Sequence, residues 1–163
     1  LLAPQFAQST LRGAEVGLPF YWNIAPEQDA VITPTWMSKR GEQLKTHYRY
    51  LDAKYFGEAR AEYMPQDRAL GTPRSGYSWQ HEQRFSQALL ARLDLNRVSD
   101  DKYFVDLYSQ VRQVTTGNLQ RDAYLQYSGA LAGTAYFLQG RVQRFQTLQD
   151  PLAPIVSPYH RVP

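Results

Sequence analysis

Apolar and polar residues alternate one by one along most of this chain. In "QLKTHYRYL", Leu44, Thr46, Tyr48 and Tyr50 interleave with Lys45, His47 and Arg49, so an extended segment has one aromatic face and one charged face. "GEARAEYM" sets Ala59, Ala61 and Tyr63 against Glu58, Arg60 and Glu62 in the same way. "LLARLDLNR" opposes Leu89, Ala91, Leu93 and Leu95 to Arg92, Asp94 and Asn96, while "TAYFLQGRVQRF" opposes Tyr136, Leu138 and Val142 to Gln139, Arg141 and Gln143. A helix needs a period of 3.6, and the period here is two.

The pattern predicts about eight strands, near residues 14–23, 29–39, 42–52, 56–65, 76–86, 88–98, 118–129 and 132–146. Each is roughly ten residues long, which is what a tilted strand needs to cross a bilayer core. Turn signals separate them: "APEQD", "KRGE", "DAKYFG", "PQDRALGTPRSG" and "SGALAG". The stretch 99–117, "SDDKYFVDLYSQVRQVTTG", breaks the alternation and reads either as a short helical turn around Tyr103 to Val111 or as an ordered loop. The fold class is therefore all-β, an antiparallel meander of long strands. Such strands with short connections suit an up-and-down barrel better than a sandwich. Faces rich in Arg, Glu, Gln and Asp pack badly in a dry core but line a water-filled lumen. A soluble sheet with one wet face shows the same alternation.

Composition changes the picture at a few points. The mean hydropathy of −0.53 and the lack of any apolar run of about 18 residues exclude a transmembrane helix, but not a transmembrane barrel, whose strands are only half apolar. Twelve Tyr, seven Phe and three Trp suit aromatic girdles at a lipid interface. Cysteine is absent, so this stretch has no disulfide and no thiol chemistry. The formal charge of +3 is spread without a basic block, which argues against nucleic acid as a partner. "LLAPQFAQSTLRG" lacks the features of a signal peptide, and both ends read as cut from a longer chain.

Catalytic chemistry finds little footing. His47, His81 and His160 show no metal-ligand spacing, and there is no phosphate-cradling Gly-rich loop or nucleophile elbow. Asp100 and Asp101 read as a solvated charge run, and Lys39 with Arg40 in "SKRG" as a solvated turn. Glu58 and Glu62 share a face, as alternation alone often arranges. The expectation is a non-enzyme with no catalytic residue, metal or cofactor.

The stretch "GLPFYWNIAPEQDAVITPTWMSKRG" reads as a strand pair yet carries Pro19, Pro26 and Pro34. Proline has no N–H for a ladder. On ordinary usage Pro19 opens a strand, Pro26 shapes the loop and Pro34 marks a bulge.

This hairpin resembles the first hairpin of the barrel in the LptD family, the lipopolysaccharide-assembly proteins of the Gram-negative outer membrane. "HYRYL" with "GEARAEYMPQDR" is similar to the family's third and fourth strands, "LDLNRVSDDKYFVDL" to its sixth strand and following loop, and "PYHRVP" to the start of its ninth. The resemblance implies a slice of a larger protein. Residues 1–13 are then the end of the periplasmic jelly-roll domain and its hinge, and 14–163 about eight of roughly 26 barrel strands.

The resemblance further implies lipopolysaccharide as substrate, delivered sideways through a gate where the first strand meets the last. Pro19 and Pro34 then weaken that seam, each lost hydrogen bond lowering the cost of parting by roughly 0.5–1.5 kcal/mol. Tyr21, Trp22 and Trp36 become interface aromatics near the gate. Arg49, Arg60, Glu62, Glu82, Arg92 and Arg141 become lumen-facing polar residues. The implied partners are the outer-membrane lipoprotein plug LptE, the periplasmic bridge protein LptA, the barrel-assembly machinery and outer-membrane lipid. A first strand rising from the periplasm puts "APEQD" outside, with "KRGE" and 99–117 on the periplasmic side. Two other functions fit the alternation: a closed eight-strand, lipocalin-like ligand-binding barrel, and a porin-like diffusion channel, which needs no weakened seam.

Overall fold

The one-by-one alternation is expressed as a single antiparallel sheet. A computed structural model of the chain describes residues 1–112 and 117–149. Its strands are β1 (Gln5–Ser9), β2 (Gly13–Gly17), β3 (Phe20–Ala25), β4 (Gln28–Met37), β5 (Gly41–Leu51), β6 (Tyr55–Asp67), β7 (Thr72–Arg84), β8 (Leu89–Val98), β9 (Asn118–Leu131) and β10 (Thr134–Thr147). One helical turn, α1 (Tyr103–Asp106), lies between β8 and β9. The order across the sheet is β1-β2-β4-β5-β6-β7-β8-β9-β10, with β3 also paired to β4. This is the expected meander, changed in two places. The run at 14–23 is broken into β2 and β3 at Leu18–Pro19, and β1 adds a strand on the outer side of β2. The likeness of "PYHRVP" to a ninth strand lies outside the described residues.

Register keeps the two chemistries apart. Asp29, Arg49, Glu58, Gln80, Asp94 and Asp122 stand side by side across six strands, and one residue along each strand runs the row Ala30, Tyr48, Ala59, Trp79 and Leu95. Because side chains alternate across the sheet, the first row belongs to a polar face and the second to an apolar one. The apolar face leaves Leu44, Tyr63, Tyr77, Leu125 and Leu138 exposed. The tight β9–β10 connection is Ala132–Gly133, whose φ values of 50° and 79° match the left-handed pair of a type I′ hairpin turn.

The buried core is formed on the polar side, by residues 99–112 folding back over it as a strap. At the end of the sheet that bears the 38–40 and 68–71 turns, the polar-face register of three strands turns apolar at Met37, Met64 and Val98. Tyr103, Leu107 and Val111 of the strap join them there, with Leu119 and Leu148. Gly76 of β7 lies directly under the strap: a Cβ there falls 3.0 Å from Val111 Cγ2 and 3.1 Å from the Tyr103 ring. Gly76→Ala therefore lifts the strap and destabilises the folded form by about 1–3 kcal/mol. Gly140→Ala, where a Cβ meets nothing within 4 Å, does not. Heating the two variants in the full-length protein and following loss of the compact band on unboiled gels measures the difference.

Candidate functional site

At the level of Pro19 the strand broken into β2 and β3 is loosened on both sides. The β2–β4 and β3–β4 ladders keep one register, Gly17 opposite Thr35 and Phe20 opposite Ile32, so Leu18 faces Pro34. The Leu18 N–H donates to the Pro34 carbonyl at 3.0 Å, but Pro34 has no N–H to return to the Leu18 carbonyl. The next residue turns the other way. The Pro19 carbonyl accepts from the Leu2 N–H at 2.9 Å on the outer edge, so the missing Pro19 donor is lost from that edge. Pro34 thus thins the ladder between β2–β3 and β4, and Pro19 thins the edge beyond. Pro34 keeps its place opposite Leu44 with no break in the β4–β5 register, so it marks no bulge.

The polar face is a row of paired ions. Arg49 Nη2 lies 2.6 Å from Asp29, Arg60 Nη1 3.0 Å from Glu58, Arg92 Nε 2.7 Å from Glu82, and Arg141 Nε 2.7 Å from Asp122. His47 Nε2 adds a 3.0 Å contact to Glu58, and Arg112 lies 3.7 Å from Asp94. Such solvated pairs add little stability; what they set is the charge of the surface. A face of this kind suits contact with water rather than the dry pocket of a lipocalin-like barrel.

Glu62 differs from the other five polar-face residues named from sequence. It lies on the expected face but under the strap, 3% exposed, where it accepts hydrogen bonds from the Tyr103 hydroxyl at 2.9 Å and the Gln43 amide at 3.4 Å, and from the Gln110 N–H. It is a structural anchor, out of reach of a solute on the open part of that face. Burial, with the Glu62 carboxylate beside it, pushes the Tyr103 hydroxyl far above the usual phenol range and keeps it a donor.

Next to this anchor lies an ionic cluster that alternation does not reveal. Arg74, 1% exposed, reaches Asp67 at 3.0 Å, Asp106 at 3.1 Å and Asp100 at 2.7 Å, with its guanidinium carbon 5.2 Å from the Tyr103 ring centre. Arg40 joins from the β4–β5 turn, 3.0 Å from Asp67 and 3.2 Å from Asp106, and its Nε donates to the Leu11 carbonyl. The solvated-turn expectation is thus corrected for Arg40, which is buried, and the solvated-run expectation for Asp100, which is held by Arg74. Two of the Arg74 partners, Asp100 and Asp106, lie 26 and 32 residues away from it in the strap. Lys45 Nζ adds a bond to the Tyr108 carbonyl.

The aromatics divide between the faces. Trp22, level with Ala30, and Trp36, level with Val16, share the apolar face and are about half exposed. Tyr21, one residue from Trp22, points to the polar face, where its hydroxyl donates to Asp29 at 3.3 Å. On the apolar face near the 52–54 turn, the Tyr50 hydroxyl meets His81 Nδ1 at 2.7 Å and accepts from the Trp79 ring N–H at 2.9 Å. Among the described residues, no group of three His, Cys, Asp or Glu is placed to hold a metal ion.

Residues 72–163 match the family model described as "LptD: LPS transport system D". Over 164 residues the chain is 44% identical to the LPS-assembly protein LptD of Azoarcus sp. (strain BH72), covering all of this chain and 20% of that protein. It is 38% identical over 163 residues to the LPS-assembly protein LptD of Nitrosomonas eutropha, covering 99% of this chain and 22% of that protein. The chain spans about a fifth of the length of the curated relatives it matches.

Proposed function

Because the chain belongs to the LptD family, we propose that it forms the first wall strands of an outer-membrane β-barrel that passes lipopolysaccharide to the outer leaflet. Residues 1–13 lead in from a periplasmic jelly-roll domain, 14–163 are barrel strands, and the N-terminal side is periplasmic. The apolar face meets lipid, with Trp22 and Trp36 near its interface and Tyr21 turned to the lumen. The polar face is the lumen wall, where Arg49, Arg60, Glu82, Arg92 and Arg141 meet lipopolysaccharide or the lipoprotein plug LptE. LptA supplies the substrate from the periplasm, and the barrel-assembly machinery inserts the chain.

The observation that carries the reading is the paired loss of donors at Pro19 and Pro34. In hydrocarbon an unpaired amide costs several kcal/mol, so a barrel wall is normally bonded along its whole length. A first strand short of bonds on both sides at one height parts there first. Restoring donors with Pro19→Ala plus Pro34→Ala in the full-length protein strengthens the seam by roughly 0.5–1.5 kcal/mol per bond regained. The expected result is less lipopolysaccharide at the surface and greater permeability to large antibiotics. Unchanged values of both, in a correctly inserted protein, remove the gate from this function.

A further inference from the structure

We infer that the aromatic cluster beside the 52–54 turn is a seat for the sugar headgroup of a membrane lipid. The inference rests on the reading of the apolar face as lipid-facing, just given.

Five rings pave that face next to the turn: Tyr48 and Tyr50 of β5, Tyr55 of β6, and Trp79 and His81 of β7. Neighbouring rings have centroids 5.4–6.3 Å apart and planes 32–49° from one another, so they make a shallow floor rather than a cage. With Gln28 and Gln83 they line an open cleft of about 550 Å³.

The floor is set before any ligand arrives. The Trp79 ring N–H donates to the Tyr50 hydroxyl at 2.9 Å, and that hydroxyl meets His81 Nδ1 at 2.7 Å. Running from Trp79 through Tyr50 to His81, this relay satisfies three polar groups in one line and assigns the proton of a neutral His81 to Nε2. That N–H has no partner among the described residues and is left to donate. The Tyr48 hydroxyl donates to Gln28 Oε1 at 2.9 Å, which leaves the Gln28 amide N–H groups to donate as well. Gly57, opposite both Tyr50 and His81, makes room for the Tyr50 ring: a Cβ there would lie 2.6 Å from Tyr50 Cζ. In an ordinary interface girdle the polar tips of the rings are spent on headgroups. Here three of them are spent on one another and on Gln28, which fixes the ring positions.

The chemistry of the lining selects the occupant. No Asp, Glu, Lys or Arg lines the cleft. A phosphate calls for Arg or Lys, and an ammonium for rings that surround it. An acyl chain offers nothing to the amides and the imidazole, whose burial under hydrocarbon is costly. A sugar ring meets both demands. The C–H bonds on one of its sides suit the negative faces of the aromatic rings, and its hydroxyls reach the donors and acceptors of Gln28, Gln83 and His81.

The test uses full-length protein in lipid discs of phosphatidylethanolamine and phosphatidylglycerol that carry a small fraction of diglucosyl diacylglycerol. The photo-crosslinking residue p-benzoylphenylalanine is placed at Ala91, opposite Gln83, or at Val142, three strands from His81 in the same register row. The share of glycolipid among the lipid adducts is expected to be about fivefold higher from Ala91 than from Val142, the size of one good aromatic contact. Trp79→Ala should bring the Ala91 share down to that of Val142. The first comparison leaves the cluster intact, so it stands even if this variant fails to fold. Equal shares from the two positions overturn the inference and leave the lipid-facing reading in place, as does enrichment of phosphatidylethanolamine at Ala91. If neither position links to any lipid, the lipid-facing reading falls and the inference with it.

Discussion

Arg74→Leu releases the strap and costs the folded form about 3–5 kcal/mol, the range for removing one member of a buried ion cluster. The side chain bridges Asp67 at the end of β6 to Asp100 and Asp106 in the strap. Without it Asp67, which is fully buried, keeps Arg40 as its one remaining cation among the described residues, and that cation must also serve Asp106. The measurements are loss of the compact band at lower temperature on unboiled gels and new protease cleavage within 99–112. Arg74→Lys is expected to fall between, because an ammonium keeps the charge but cannot fork to three carboxylates. If Arg74→Leu keeps the parental transition and stays uncleaved, the cluster is not what holds the strap.

Tyr103→Ala has an effect of similar size by a different route. The ring is fully buried against Met37, Met64 and Val98, and emptying such a site costs about 3–5 kcal/mol. Tyr103→Phe keeps the ring and removes only the donor to Glu62, which still has Gln43 and the Gln110 N–H, so about 1–3 kcal/mol is expected. Comparing the two variants by the same heating assay separates packing from hydrogen bonding. Equal losses mean that the Glu62 contact alone carries the site.

The sheet was legible in the sequence because a period of two needs no knowledge of distant residues. "QLKTHYRYL" identifies both of its faces by itself, and β5 occupies Gly41–Leu51 against an expected 42–52. β1 was harder: "QFAQS" puts its two apolar residues side by side, and Phe6 is its one large apolar side chain. The break at Leu18–Pro19 follows from proline chemistry, whereas the direction in which each missing donor points needs the register. The strap had left a mark, since Met37, Met64 and Val98 interrupt the polar register at one end of three strands and so ask for an apolar cover. Nothing local marks Arg74 as the centre of a cluster. Its carboxylates come from the end of β6 and from the strap, and only the fold brings them together.

Five cations on the polar face, Arg49, Arg60, Arg92, Arg112 and Arg141, each touch an anion of the same face. Opposite charges a few ångströms apart make a dipole, and the field of a dipole fades with distance faster than that of a lone charge. Salt screening, over about 8–10 Å, removes much of what is left. On the proposed reading of this face as a lumen wall, a charged polymer moving along it is neither gripped nor thrown off, and the surface works as a low-friction bearing.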